Sequence, residues 1–94
     1  MTKDEIINYL KENKSILEHK FKVKKIGLFG SFAKDKANSN SDIDIVVDMP
    51  SNFDLYYDLK YFLEKAFKKN VDLGLEKNIR AYIKEKIKNE IIYV

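Results

Sequence analysis

The sequence has no cysteine and no tryptophan, and it has one histidine and one proline among its 94 residues. Without cysteine, the chain has neither a disulfide framework nor thiol chemistry. No apolar run approaches the ~18 residues that a membrane-spanning helix requires. The first residues also lack the unbroken apolar core of a secretory signal. We therefore expect a soluble, cytoplasmic protein.

The chain also has no large excess of either charge. Its 18 basic residues are offset by 15 acidic residues, so the net charge is only +3. Both kinds are spread along the chain, and Arg80 is the one arginine. Dedicated nucleic-acid binders usually cluster their basic residues into a patch or stripe. We expect a solvated, lysine-rich surface and no direct nucleic-acid binding; a polyanion-binding face is the alternative.

Apolar periodicity predicts four helices. Thr2 and Glu5 are spaced as a capping box, and the apolar residues that follow return to one face, so the first helix should run to about His19. A short second helix is expected over residues 32–36. The third has a regular apolar stripe, formed by Leu55, Leu59, Phe62, Leu63, Ala66 and Phe67. The last carries Ile79, Ile83 and Ile87 at four-residue steps.

Alternating or continuous apolar runs predict strands between these helices. The first should span residues 21–29, with a bulge where the alternation slips at Lys24 and Lys25. The others are expected at residues 43–47, 71–75 and 91–94. Connections this short predict one domain, residues 1–94, of α/β (α+β) class, with a small mixed sheet and helices packed over it.

Two carboxylates share one face of the second strand. Side chains alternate along a strand, so Ile43, Ile45 and Val47 should point into the core while Asp42 and Asp44 point together to the other side. Like charges at this spacing are unfavourable without a cation, and oxygen-only ligands favour a hard ion such as Mg²⁺. The alternative for this pattern alone is an ordinary solvent-exposed strand face.

Gly30 and Ser31 follow the first strand and begin a short helix. Free backbone N–H groups at such a position can hold a phosphate, and glycine lets the backbone approach closely. A plain turn glycine, with Ser31 as the helix cap, is the alternative.

Taken together, Gly30-Ser31, ten intervening residues and Asp42-Ile43-Asp44 resemble the signature of the DNA polymerase beta-like nucleotidyltransferase superfamily. The surrounding stretches, IGLFGSFAK at residues 26–34 and NSNSDIDIVV at 38–47, look like the minimal nucleotidyltransferases of prokaryotic toxin–antitoxin operons. Val71-Asp72-Leu73 matches the site of that family's third carboxylate. Independently, Val71 and Leu73 should point inward and leave Asp72 on the opposite face.

The resemblance implies transfer of AMP from ATP to a hydroxyl, with Mg²⁺, two ions in all, held by Asp42, Asp44 and Asp72. Gly30 and Ser31 would hold phosphate oxygens, and Lys34 would either touch a phosphate or be solvated. The implied partner is a HEPN-type ribonuclease toxin encoded next door, with a toxin tyrosine as acceptor.

Two rival interpretations stay open. The chain could be an antitoxin that neutralises its toxin by contact alone; Asp35 favours this, because family members commonly have a glycine there. An aminoglycoside-type nucleotidyltransferase is more distant, since such enzymes carry additional domain mass.

Other polar residues are set aside. Asp48 is expected to cap the turn before Pro50, and His19 to be a surface residue at a helix end. Tyr56, Tyr57 and Tyr61 should lie off the apolar stripe, as a candidate partner surface.

Overall fold

The computed structural model describes residues 1–79, 84, 85 and 87–94. The elements follow in the order α1 (Lys3–Glu12), α2 (Lys14–Lys20), β1 (Lys25–Phe29), α3 (Gly30–Ala33), β2 (Ile43–Asp48), α4 (Phe53–Phe67), β3 (Val71–Leu75), a 3₁₀ turn (Glu76–Asn78) and β4 (Ile92–Tyr93).

The four strands form one mixed sheet in the order β3-β2-β1-β4. β1 pairs antiparallel with both β2 and β4. β2 and β3 are parallel, so the chain must cross back between them, and α4 makes this connection. The predicted mixed sheet with helices packed over it is confirmed.

One face of the sheet carries the main core. Ile43, Ile45 and Val47 are at most 1% exposed, as predicted. β1 and β3 supply further buried side chains, and α1, α2 and α4 cover them. The helix residues of this core are Ile6, Leu10, Leu17, Leu59, Leu63 and Phe67.

The N-terminal region differs from the prediction at two points. The capping box forms as expected, because Thr2 Oγ1 accepts from Glu5 N–H and Glu5 Oε1 accepts from Thr2 N–H. The single first helix was wrong, however: it is divided at Asn13, whose side-chain amide donates to Tyr9 O at 2.9 Å. Asparagine side chains compete with helical backbone bonding in this way.

The bulge predicted in the first strand was also wrong. β1 begins at Lys25, and the apolar residues before it belong to a turn in which Lys22 has a φ of 58°. Phe21 and Val23 are nevertheless buried. Their spacing resembles strand alternation because the turn directs both side chains into the core.

α4 contains the whole of the predicted apolar stripe. The Asn52 side chain accepts from Leu55 N–H at 3.0 Å and caps the helix. At the other end, Lys68 adopts a left-handed conformation with a φ of 55° and stops it.

The last predicted helix is shorter at its start than expected. Ile79 has extended backbone after the 3₁₀ turn, so it is not helical. Ile83 lies outside the described residues, whereas Ile87 is helical. The final strand is confirmed, because β4 pairs with Gly27 and Leu28 of β1. None of the helices in the described part of the chain is long and apolar enough to cross a membrane.

Candidate active site

Asp44 and Asp72 lie side by side on neighbouring strands. They are direct partners in the parallel register of β2 and β3, and paired strands lie about 4.8 Å apart. Their chain neighbours Ile43, Ile45 and Val71 are buried in the core. Because side chains alternate along a strand, both carboxylates lie on the face opposite the core.

These negative charges act on one another. The pKa of the Asp44 carboxyl is raised, first by its burial and then by the charges of Asp72 and Asp42. All three carboxylates are therefore close enough to repel, and the half-buried Asp44 bears the effect.

Asp42 lies just before β2 and is exposed. The polar loop that leads to it is ordered by its own side chains: Asn38 Oδ1 accepts from Asn40 N–H at 2.8 Å, and Ser41 Oγ accepts from Asn38 N–H at 2.9 Å. This loop determines where the chain enters β2, and hence where Asp42 lies relative to Asp44.

Gly30 lies directly against Asp44. Its φ is 75°, and a Cβ at this position would lie 2.8 Å from Asp44 Cγ and nearer still to Oδ2. The sequence interpretation explained this glycine by close approach to a phosphate. The structure shows another reason for glycine at this position: the Asp44 carboxylate occupies the space that a side chain would need.

Ser31 is in the first turn of α3. The interpretation of Ser31 as helix cap was wrong, because the N-cap is Phe29 and the cap has no side-chain hydrogen bond. Ser31 is half-exposed beside Gly30. Its hydroxyl therefore has no capping role that would compete with binding a ligand.

Lys34 forms an ion pair with Glu90, at 3.2 Å between Nζ and Oε1. The sequence interpretation missed this partner, since nothing local connects residues so far apart along the chain. The ion pair joins the end of α3 to the C-terminal segment. Gly27 shows that this segment lies close to the sheet, because a Cβ there would lie 2.6 Å from Ile91 Cγ2.

Asp35, in place of the family's usual glycine, has a φ of 58°. The position therefore requires the left-handed backbone for which glycine is suited, and aspartate tolerates it better than most residues. Its carboxylate also forms an ion pair with Lys3 of α1, at 3.0 Å. The turn after α3 is thus retained without the glycine.

The tyrosines of α4 differ in exposure. Tyr57 and Tyr61 are 50% and 65% exposed, as predicted, but Tyr56 is partly buried against the core and its hydroxyl donates to Leu73 O. Including Tyr56 in a partner surface was wrong, because its side chain packs against the core and its hydroxyl is bonded to the edge of β3.

Asp48 and His19 remain away from the three carboxylates. Asp48 ends β2, and its backbone carbonyl accepts from Lys24 N–H at 2.8 Å. His19 is exposed near the end of α2, with Nδ1 2.8 Å from Ser15 O. Neither contributes to the site.

The chemistry of these side chains shows whether they suit Mg²⁺. Within residues 1–79, 84, 85 and 87–94, no three Asp, Glu, His or Cys side chains are gathered as ligands of one metal ion. The carboxylate oxygens are the donors that Mg²⁺ prefers. The pKa of Asp44 is raised by burial and then by the charges of Asp72 and Asp42, and a divalent cation would offset those charges, so the chemistry of the carboxylates is compatible with Mg²⁺.

The fold and the carboxylate face define a class of protein, the nucleotidyltransferases. The Nucleotidyltransferase domain family matches residues 10–94. The chain belongs to this family and is a nucleotidyltransferase, so the resemblance stated from the sequence is confirmed.

Two relatives are similar to this chain over nearly their whole length. "Putative protein adenylyltransferase MJ1379" of Methanocaldococcus jannaschii is 42% identical over 98 residues, covering 99% of this chain and 98% of that protein. "Protein adenylyltransferase MntA" of Thermococcus cleftensis is 32% identical over 96 residues, covering 100% and 97%.

Solved structures share the fold. One described as "Structure of putative minimal nucleotidyltransferase" has a TM-score of 0.84 at 22% identity, covering 98% of this chain and 95% of that one. A second, of "tri-AMPylated Shewanella oneidensis HEPN toxin in complex with MNT antitoxin", has a TM-score of 0.59 at 22% identity, covering 97% and 66%.

Proposed function

We propose that this nucleotidyltransferase transfers AMP from ATP to a tyrosine hydroxyl of a partner protein, a HEPN-type toxin that it thereby neutralises. The observation that carries the proposal is the pairing of Asp44 with Asp72 across β2 and β3, with Gly30 against Asp44. A purely structural inhibitor has no evident reason to keep mutually repelling carboxylates on one face.

The three carboxylates have different roles in the proposed reaction. Asp42, Asp44 and Asp72 would hold Mg²⁺, which when bound neutralises charge on the triphosphate. Backbone N–H groups at Gly30 and Ser31 bind phosphate oxygens. Asp42 and Asp44 would hold the metal on the triphosphate, and Asp72 would help to bind a second ion and to orient or deprotonate the acceptor.

The reaction is a single displacement at the α-phosphorus. The tyrosine oxygen forms a bond to that phosphorus, the bond to the bridging oxygen breaks, and pyrophosphate leaves. The hydroxyl proton passes to Asp72 as the new bond forms. The product is a phosphodiester in which the former α-phosphate of ATP joins the tyrosine oxygen to adenosine, so atoms and charge balance with no further reactant.

The partner must supply much of the acceptor recognition, because a chain of 94 residues has little surface beyond its core and one site. The relatives named as protein adenylyltransferases and the antitoxin complex with an AMPylated HEPN toxin support a protein acceptor. The exposed side chains of Tyr57 and Tyr61 are candidates for the contact surface.

The rival, neutralisation by binding alone, rested on Asp35. Its left-handed backbone weakens that argument, because the turn does not depend on glycine. The two functions still predict different behaviour of variants that keep the shape of the site.

The test is to incubate the protein with the product of its neighbouring gene, Mg²⁺ and labelled ATP, and to follow AMP on the partner by mass spectrometry. Asp44→Asn and Asp72→Asn should abolish transfer and lasting neutralisation. Asp48→Asn is the matched control, since Asp48 lies on the same strand face about 13 Å from Asp44 and should retain both. Full neutralisation by all three variants without ATP would establish the binder instead.

A further inference from the structure

The outer edge of β3 is held by side chains of α4. β3 is an edge strand of the sheet, with β2 on its one paired side. Ile43 N–H donates to Asn70 O, so in this parallel ladder Asp72 bonds toward β2 while Val71 and Leu73 direct their backbone groups outward. These outward groups flank Asp72 on both sides along the chain.

Three polar residues, one helical turn apart, meet those groups. Glu64 Oε2 accepts from Val71 N–H at 3.0 Å, and Lys60 Nζ donates to Val71 O at 2.9 Å. Lys60 Nζ also donates to Glu64 Oε2 at 2.9 Å. The Tyr56 hydroxyl donates to Leu73 O.

This is more than a surface ion pair. An exposed Lys–Glu pair at i,i+4 contributes little by itself, but here each side chain is only 29% exposed and each bonds one backbone group of Val71. The pKa of Lys60 is raised, chiefly by its hydrogen bond to Glu64, and that of Glu64 is lowered by its bonds to Lys60 and Val71 N–H. Both therefore stay charged at neutral pH.

We propose that Lys60 and Glu64 are positioning residues for nucleotidyl transfer, which hold the edge strand in place so that Asp72 stays opposite Asp44. The inference rests on the proposed role of Asp72 at the acceptor. Asp44 and Asp72 are direct partners on β2 and β3, so their like charges favour a wider separation of the two strands. Anchoring both backbone groups of Val71 to α4 opposes that displacement.

The same contacts also cover the edge of β3, and covered edge strands resist pairing with other chains. That role would change stability and aggregation without changing turnover by the folded protein. Turnover per folded molecule, measured at varied ATP, therefore separates the positioning role from protection of the strand edge.

The experiment compares Lys60→Met, which keeps the apolar stem and loses the donor, with Lys60→Arg, which keeps a donor for both partners. Lys88→Met is the matched control, because it breaks the exposed Lys88–Glu85 pair at 3.2 Å on another part of the chain. AMP transfer to the partner is measured at varied ATP, and the folded fraction by circular dichroism.

Lys60→Met should lower kcat per folded molecule about tenfold, as expected for a displaced reacting group. The KM for ATP should stay within about twofold, because Asp42, Asp44 and Gly30 are not moved. Lys60→Arg and Lys88→Met should both retain kcat. An unchanged kcat in Lys60→Met, or an equal loss in Lys88→Met, would overturn the proposal. Should Lys60→Met not fold, Glu64→Met, which loses the acceptor for Lys60 and for Val71 N–H, takes its place with the same expected loss and the same contrary result.

Amide hydrogen exchange tests whether α4 holds β3 without relying on AMP transfer. The Asp72 N–H should exchange faster in Lys60→Met than in the parent and in Lys88→Met, since its strand is held on one side only. Unchanged exchange contradicts the positioning role. If the parent itself transfers no AMP, the proposed function fails, and the exchange result still decides whether α4 holds β3.

Discussion

The Asp44 carboxylate fills the space that a side chain at Gly30 would need. The glycine of the first motif and the aspartate of the second are thus one packing unit, although thirteen residues separate them along the chain. This contact couples the turn at Gly30 to the strand that carries Asp44.

Gly30→Ala should therefore damage both stability and transfer. The φ of 75° disfavours any side chain, and the new Cβ meets Asp44, so we expect a loss of about 1–3 kcal/mol in the free energy of unfolding. Urea denaturation measures it.

Gly74→Ala is the matched control for that prediction. A Cβ at Gly74 would have Ile45 O, at 4.0 Å, as its nearest neighbour, which is ordinary contact. We expect its unfolding free energy to change by less than about 1 kcal/mol. Equal losses in the two glycine variants would contradict the proposed packing of Gly30 on Asp44.

Asp44→Asn should stabilise the metal-free protein at neutral pH. The pKa of Asp44 is raised in the fold by burial, Asp72 and Asp42, so the folded state holds its proton more tightly than the unfolded state does. Stability contributed by this group is present at low pH and is lost as pH rises through the raised value.

The measurement is the melting temperature in chelator across pH. Asp44→Asn should melt above the parent at pH 7, and the difference should shrink as pH falls toward the ordinary Asp value of about 3.9. A parent that melts above Asp44→Asn at pH 7 in chelator would reverse the expected sign.

ATP binding should depend on a divalent cation and on Asp42. The triphosphate supplies ligands that the carboxylates alone do not, so Mg²⁺ or Mn²⁺ should strengthen ATP binding in titration calorimetry. Asp42→Asn should remove most of that gain, whereas Asp48→Asn should keep it. ATP binding indifferent to both metal and Asp42→Asn would mean that the proposed site is wrong.

Asp35 offers a test of backbone conformation. Asp35→Ala places a Cβ-bearing residue without a compensating polar group at a φ of 58°, and we expect it to cost about 1–2 kcal/mol of unfolding free energy. Asp35→Gly should cost much less, because glycine adopts this conformation freely.

Lys3→Met is the control for the ion pair that Asp35 also loses. The pair is exposed on the Asp35 side, so its removal should have little effect on stability. If Lys3→Met cost as much as Asp35→Ala, the ion pair and not the backbone would explain the effect.

The sequence was a good guide where local rules act alone. The capping box at Thr2 was readable because it joins residues three apart. The inward alternation of Ile43, Ile45 and Val47 was readable because a strand has a period of two. The division at Asn13 was missed, because side-chain competition with the helix is decided by the surrounding packing.

The fold class and the family could be predicted from the sequence, and so could the alternation that places Asp44 and Asp72 on one face of their strands. The structure was needed to show that Asp44 and Asp72 are direct partners, that Gly30 packs on Asp44, that Lys34 pairs with Glu90 and that Lys60 and Glu64 hold Val71. The physical reason is that alternation and capping depend on residues a few positions apart, whereas strand register and cross-chain contacts depend on how the whole sheet and its helices pack together.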